Sequence, residues 1–222
     1  MRSRRRFLAR LHPEGIPWPG SLLYDAVSRS TVFHAHYQLV AEDVARLGAA
    51  DRILDVGTGP GRLLLALRRQ FPHAALVGID VSAAMIERAR RNVFGRDDGI
   101  QVQVARADGL PFADGTFDRV VSTGSLHHWK TPQAGLAEAH RILKDGGYAL
   151  VYDLVRRMPG PVKREVRAKF GGFRLALLWL HSFEEPFWSP AEMEALARQS
   201  RFVLKETRFV GALCGLVLRK GS

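Results

Sequence analysis

The 222-residue chain predicts an α/β fold, a mostly parallel sheet with helices on both faces, and three observations carry that expectation. From Arg52 to Leu154, strand-like apolar runs alternate with helical periodicity, the pattern of right-handed crossovers between parallel strands. The first of these runs, Ile53 to Gly61 (ILDVGTGPG), stops at alternating glycines, and a helix begins at once. Near the end, a capped helix is followed by two strand-like runs separated by one glycine. In sheets of this kind a ligand lies beyond the C-terminal ends of the strands, which is where the glycine turn falls.

Ahead of the first strand, Leu22 to Leu47 is helical in pattern: Phe33, Tyr37, Val40, Val44 and Leu47 share one stripe, and Gly48 closes it. Ile53, Leu54 and Val56 suit a buried parallel strand, and Gly57, Gly59 and Gly61 strip side chains from the turn that follows. Arg62 to Gln70 places Leu63, Leu64 and Leu67 at helical spacing, so the free N–H groups of a helix start adjoin the turn and favour an anionic or carboxylate group. Val77 to Ser82 (VGIDVS) is a second strand ending in Asp80. Thr131-Pro132 forms an N-cap and first-turn pair for a helix ending at Leu143, with Gly146-Gly147 as a left-handed stop. Ser189-Pro190-Ala191-Glu192 is a capping box with proline at the first helical position, starting a helix that runs to about Ser200. Phe202 to Val210 and Ala212 to Arg219, divided by Gly211, are the closing strands.

The spacing of the glycines narrows the ligand. A dinucleotide fingerprint would put its third glycine three residues after Gly59, but Arg62 stands there and the glycine comes one residue early. A phosphate-cradling loop would continue with Gly-Lys-Ser/Thr, which is absent. Asp55, two residues before the first glycine, sets a carboxylate at the strand end, suited to a ligand carrying an amine rather than a pyrophosphate.

Here DVGTGPG resembles motif I of the class I S-adenosylmethionine-dependent methyltransferases, whose glycine turn holds the methionine end of the cofactor. Four further stretches follow in that family's order. Asp80 lies about 20 residues beyond the turn, where an acidic side chain accepts the two ribose hydroxyls. Ala105 to Phe112 (ARADGLPF) brings Asp108 to the place of the acidic residue beside the adenine amino group. Phe117 to Trp129 (FDRVVSTGSLHHW) matches the fourth strand and the loop over the reactive methyl, and Ile142 to Asp153 (ILKDGGYALVYD) matches a helix end, a Gly-Gly turn and the fifth strand. The resemblance implies a Rossmann-like, seven-stranded, mostly parallel sheet ending in an antiparallel strand pair. It also implies a cofactor set of Asp55, Gly57, Thr58, Gly59, Gly61, Asp80, Val81, Met85, Asp108, Gly109, Ser122 and Thr123.

Composition sets outer bounds. At 46% hydrophobic and 25% charged, the chain is the size of one domain with a substantial core. That domain divides into an N-terminal helical cap (1–50), a cofactor-binding core (51–155), a lid-like insertion (156–190) and a C-terminal helix and strand pair (191–222). The single cysteine, Cys214, forms no internal disulfide and no metal cluster, which suits a reducing compartment. Ser3-Arg4-Arg5-Arg6-Phe7-Leu8 resembles a twin-arginine export signal, but Arg10, His12, Pro13 and Glu14 interrupt the apolar run it needs, so it reads as a basic tail. No apolar run approaches the roughly 20 residues that span a bilayer, and a cytoplasmic setting is expected. The net charge of +11 raises encounter with nucleic acid or anionic membrane without identifying either. Much of it is arginine on helix faces, and no separate RNA-binding module accompanies it, so no stable nucleic-acid partner is expected.

Two segments bear on the acceptor. In the resembling family the N-terminal helical segment often crosses the cofactor, making Tyr24, Phe33, His34 and Tyr37 candidates to touch substrate; packing against the sheet fits Phe33 and Tyr37 equally. Arg156 to Pro190 holds a basic run (Arg156, Arg157, Lys163, Arg164, Arg167, Lys169) and an apolar one from Phe173 to Phe187, followed by Trp188. It suits a lid over an apolar acceptor or contact with a membrane surface through 156–188, and equally an extra helix filling a groove or a dimer interface.

Methyl transfer from a sulfonium is an in-line displacement, so the protein has chiefly to align donor and acceptor and exclude water. His127 and His128 fall in the loop near the expected methyl position and are candidates to deprotonate an acceptor. No Asn/Asp-Pro-Pro-Tyr/Phe follows the fourth strand, where Ser122-Thr123-Gly124-Ser125 stands, which disfavours exocyclic base amines and glutamine side chains. Cys214 sits too far along to serve as a cytosine C5 nucleophile, and no acidic cluster for a divalent metal is present. A small organic acceptor is expected, and the LPF and LKDGG stretches are similar to quinone- and lipid-type C-methyltransferases. The alternatives are an RNA or protein methyltransferase, and a non-enzymatic regulator that binds the cofactor with its acceptor pocket closed.

Overall fold

The computed structural model describes residues 31–93, 99–171 and 187–221. The expectations placed on Tyr24, on the Phe33 side chain, on the N-terminal basic run and on the apolar run from Phe173 to 186 lie outside the described residues. Helices and strands are numbered along the described residues.

A seven-stranded sheet forms the middle layer, in the order β3-β2-β1-β4-β5-β7-β6. Its parallel members are β1 (Arg52–Val56), β2 (Ala75–Asp80), β3 (Ile100–Val104), β4 (Phe117–Thr123) and β5 (Leu143–Asp153). Of the closing pair, β6 (Val203–Val210) and β7 (Leu213–Arg219), only β7 runs against the rest of the sheet, antiparallel to both β5 and β6. Side-chain alternation splits the core in two. Ile53, Leu76, Val121, Leu150 and Val217 face one layer; Leu54, Val77, Val120, Val151 and Leu216 face the other.

The first face is covered by α1 (Thr31–Ala45), α2 (Arg62–Gln70) and α3 (Ala83–Val93), through Val40, Val44, Leu64, Leu67 and Val93. The opposite face is covered by α4 (Pro132–Ile142) and α6 (Pro190–Arg198), through Leu136, Ala139, Met193 and Leu196. Tyr37 belongs to the first core and His34 is exposed. What fixes α1 is polar: Tyr152 donates its hydroxyl to Asp43 at 2.6 Å, Arg208 pairs with the same carboxylate at 3.0 Å, and the Ala212 N–H donates to His36 Nε2 at 3.0 Å. Asp43 is 2% exposed, and a carboxylate buried that deeply stays folded only with partners of this kind.

Three local expectations need correction. The helix before β5 ends at Ile142, because Leu143 already has extended dihedrals (φ −73°, ψ 143°) and starts the strand. Gly146, at φ 75°, therefore turns a bulge inside β5 instead of stopping a helix, and the register with β4 shifts there. Thr131 occupies the N-cap of α4 but its hydroxyl does not cap; it donates to Asp108 Oδ2 at 3.0 Å. The capping box at Ser189 is present in full: its hydroxyl accepts from the Glu192 N–H and the Glu192 carboxylate accepts from the Ser189 N–H. That helix ends at Arg198 with Gln199 as its C-cap, in keeping with an expected end at about Ser200.

The segment after β5 contributes α5 (Gly160–Phe170), which buries Val166 against Ala212 and leaves Lys163, Arg164 and Arg167 exposed. Arg156 pairs with Glu192 at the start of α6. No described helix is long and apolar enough to cross a membrane.

Candidate active site

A cavity opens where β1, β2 and β4 end. Its first wall is local. The N–H groups of Gly57 and Thr58 both donate to the Ile79 carbonyl at 2.8 Å, which draws the glycine turn over the end of β2. Thr58 Oγ1 donates to Asp55 Oδ2 at 2.7 Å, folding the turn back on its own strand. The Gly59 N–H donates to Asp80 Oδ2 at 2.9 Å and the Ser82 N–H to Asp80 Oδ1 at 2.8 Å, so the acid is held by backbone on both oxygens and keeps further lone pairs for a ligand. Val56, Ile79, Val81, Met85, Ala105 and Ala107 line the rest of this side with apolar surface.

Burial shifts both acids. It pushes the Asp55 carboxyl up to about 7, with the Thr58 hydrogen bond opposing and the nearby Asp80 adding to the rise. Asp80 is raised in the same sense by burial, against the two backbone N–H groups that stabilise its charge. Asp108 goes the other way: it is clasped by Arg106 through Nε and Nη2, both at 2.9 Å, and that guanidinium with the Thr131 hydroxyl holds it below the usual carboxylate range. The loop bearing Asp108 is anchored from α4, where Glu138 accepts the Leu110 N–H at 2.8 Å and Arg141 reaches the carbonyls of Leu110 and Phe112.

The second wall is the stretch after β4, with Gly124, Ser125, His128, Trp129, Lys130 and Thr131 on the cavity. Leu126–His128 form a single 3-10 turn. Two glycines make room for it. A Cβ on Gly57 would stand 2.1 Å from Ser125 Oγ, and a Cβ on Gly135 in α4 would stand 2.5 Å from the Trp129 ring. Trp129 in turn donates its Nε1–H to Ser125 Oγ at 2.9 Å. The glycine turn, Ser125, Trp129 and α4 thus interlock in series.

Of the twelve residues expected to hold a cofactor, Gly57, Gly59, Asp80, Val81, Met85 and Asp108 line the cavity. Asp55, Thr58, Gly61, Gly109, Ser122 and Thr123 are not on its wall. Asp55 and Ser122 are each 1% exposed, one beneath the turn and the other within the sheet. Asp55 Oδ1, Ser122 Oγ and Thr123 Oγ1 have no hydrogen-bond partner among the described residues. His128 lines the cavity; His127 does not, being buried with Nδ1 2.8 Å from Asp153 Oδ1. Ser125, Trp129, Arg106, Lys130 and Thr131 also face the cavity and were not singled out from sequence. Arg106, Ser125 and Trp129 fall inside the matched stretches, and Thr131 carries an N-cap signal that masks its place on the cavity.

The cavity suits a nucleoside with an apolar flat base and hydroxyls for an acid. Asp80, accepting at the foot of the glycine turn, sits between a bare backbone approach on one side and the Val81 and Met85 surface on the other.

Comparison with known proteins agrees with this geometry. Residues 54–151 match the methyltransferase domain family. A malonyl-[acyl-carrier protein] O-methyltransferase of Geobacter sulfurreducens is 45% identical over 96 residues, 43% of this chain and 36% of the relative. A demethylmenaquinone methyltransferase of Thermus thermophilus is 36% identical over 134 residues, 59% of this chain and 60% of the relative. The chain thus spans between about a third and three fifths of the length of these curated relatives. Among solved structures, a putative S-adenosyl-L-methionine-dependent methyltransferase of Methanococcus maripaludis superposes with a TM-score of 0.71 over 95% of this chain and 96% of its own, at 22% identity, which speaks for the fold.

Proposed function

We propose that the chain, whose residues 54–151 match the methyltransferase domain family, is a class I S-adenosylmethionine-dependent methyltransferase that transfers the sulfonium methyl group to a small organic acceptor. The observation that supports this most is the Gly59 to Asp80 hydrogen bond, which puts a backbone turn and an acid on one cavity as a nucleoside bearing an amino-acid tail requires. The cofactor, when bound, supplies an already activated methyl carbon. The protein's work is placement. Asp80 takes the ribose hydroxyls, Val81 and Met85 flank the base, and Asp108 offers its remaining lone pairs to the adenine amine while Arg106 and Thr131 hold it still. Asp55 and Thr58 act from beneath, fixing the turn instead of touching the ligand.

His128 and Trp129 stand on the side where an acceptor would meet the methyl. An imidazole there serves as proton acceptor if the acceptor atom must lose a proton, and the Trp129 ring shuts out water. The relatives are named for demethylmenaquinone and for the malonyl group of malonyl-[acyl-carrier protein], and both names support an organic acceptor over a nucleic acid. The test is a metabolite extract incubated with the chain and isotope-labelled S-adenosylmethionine. Label is expected in the small organic fraction. Label in RNA or protein instead, or tight cofactor binding with no transfer at all, would overturn the reading.

A further inference from the structure

Among the buried charges that the mechanism leaves unused, one stands at the end of β5. We propose that Asp153 is a positioning residue: it acts through His127 to hold the His128 imidazole against the cavity. The proposal rests on the reading of that cavity as the methyl-transfer site.

Asp153 is fully buried, at 0% exposure, and its carboxylate is filled from three directions. The His127 N–H donates to Oδ2 at 2.9 Å, the Leu154 N–H to Oδ1 at 2.8 Å, and His127 Nδ1 lies 2.8 Å from Oδ1 and 2.9 Å from Oδ2. With both oxygens already accepting backbone N–H groups, the carboxylate faces Nδ1 as an acceptor, so Nδ1 carries a proton. One carboxylate therefore grips the same histidine by main chain and ring together. Among the described ion pairs, Asp153 makes only this one.

The gripped ring is a spacer. The Phe187 ring packs on it at 4.5 Å between centroids, and the His128 ring lies 3.9 Å away, tilted by 46°. His127 has nowhere to turn without moving its neighbour, and its neighbour is the imidazole on the cavity wall. Stability alone explains the arrangement poorly. Taking a carboxylate out of water costs several kcal/mol, and apolar residues of the same volume at such sites are often as stable or more so. Orientation of a reacting side chain is what a chelating carboxylate adds. Among the described residues, the titratable groups on this cluster besides Asp153 include His128 on the same turn, the Cys214 thiol across the β5–β7 pairing, and Glu194, whose charge acts on that thiol as Asp153 does.

The test uses histidine ring resonances of the full chain labelled with nitrogen isotope, recorded alone and with S-adenosylhomocysteine. In the native chain an exchange-protected Nδ1–H signal from His127 is expected, together with a His128 ring signal that responds to the ligand. In Asp153→Asn the protected signal is lost, and the His128 signal moves even without ligand. A merely structural Asp153 would lower the melting temperature but leave the His128 signal of the folded protein in place, and that result overturns the proposal. If Asp153→Asn does not fold, His127→Gln, which keeps an N–H donor but removes the ring, must displace the same His128 signal. Failure of the native chain to bind S-adenosylhomocysteine would defeat the cofactor reading, while the ligand-free His128 signals still decide this one.

Discussion

The two walls of the cavity are built by opposite means. The wall from β1 and β2 is made of backbone: a turn hung on the Ile79 carbonyl, tied to Asp55 three residues before Thr58 and to Asp80 twenty-one residues after Gly59. The wall after β4 is made of side chains that meet only because the fold brings them together: Ser125 against Gly57, Trp129 against Gly135, His127 on Asp153. The first wall is set by a short stretch of sequence and holds what every member of such a family must hold. The second depends on distant residues, and there chains sharing a cofactor are free to differ in what they methylate.

The largest expected effect comes from breaking the place where the walls touch. Gly57 has φ +76° and its Cβ would fall 2.1 Å from Ser125 Oγ, so Gly57→Val pays both a left-handed backbone and an overpacked contact, about 1–2 and 1–3 kcal/mol respectively. Calorimetric titration should find S-adenosylhomocysteine affinity lowered at least a hundredfold; affinity within tenfold of native would mean the walls are independent.

Next is the first wall alone. Asp80→Ala removes the acid on which the Gly59 N–H and the proposed ribose contact converge, and should weaken the cofactor by well over tenfold in the same titration. Unchanged affinity would remove Asp80 from the site.

A smaller, pH-dependent effect tests the acid beneath the turn. Asp55 has a folded value near 7 against an ordinary 3.8, so the folded state keeps a proton that the unfolded chain gives up. Stability from this group is complete below about pH 4 and is lost as pH rises through 7. Asp55→Asn lacks that loss. Its melting temperature relative to native should climb from pH 4 to pH 7 and then level off, and a gap independent of pH would show that Asp55 is ionised throughout. Asp80 shifts in the same direction and is coupled to Asp55 by charge, so Asp55→Asn also removes the repulsion between the two acids, which adds to the climb.

The smallest effect concerns Ser122, whose buried Oγ has no hydrogen-bond partner among the described residues. Ser122→Ala should change stability by no more than about 0.5 kcal/mol and leave cofactor affinity alone. A tenfold loss of affinity would return Ser122 to the cofactor, as the sequence alone suggests.

What was legible in the sequence follows the same division. The strands, the glycine turn and the helix from Arg62 were readable because apolar periodicity and turn chemistry act over a few residues. Thr131 and Pro132 take the N-cap and first-turn positions that the sequence predicts, but donating its O–H to the charged Asp108 turns the Thr131 hydroxyl toward the cavity and away from the helix N–H groups it would otherwise accept from. Gly146 was taken for a helix stop because a left-handed glycine looks alike at a helix end and in a bulge. Asp153 looked like the last residue of a strand, and no local pattern says that a carboxylate there meets residue 127. The anchoring of α1 by Asp43, Tyr152 and Arg208 was silent for the same cause, being assembled from three elements far apart in the chain.

The lone thiol has a practical use that follows from where it sits. Cys214 lies on β7, flanked by β5 and β6, at 0% exposure, and burial pushes it up to about 12. A maleimide or iodoacetamide reagent near neutral pH will find it only when those strands part. Its rate of alkylation is accordingly a clock for opening of the sheet, and a cysteine introduced at the surface could carry a dye without competition from the native one.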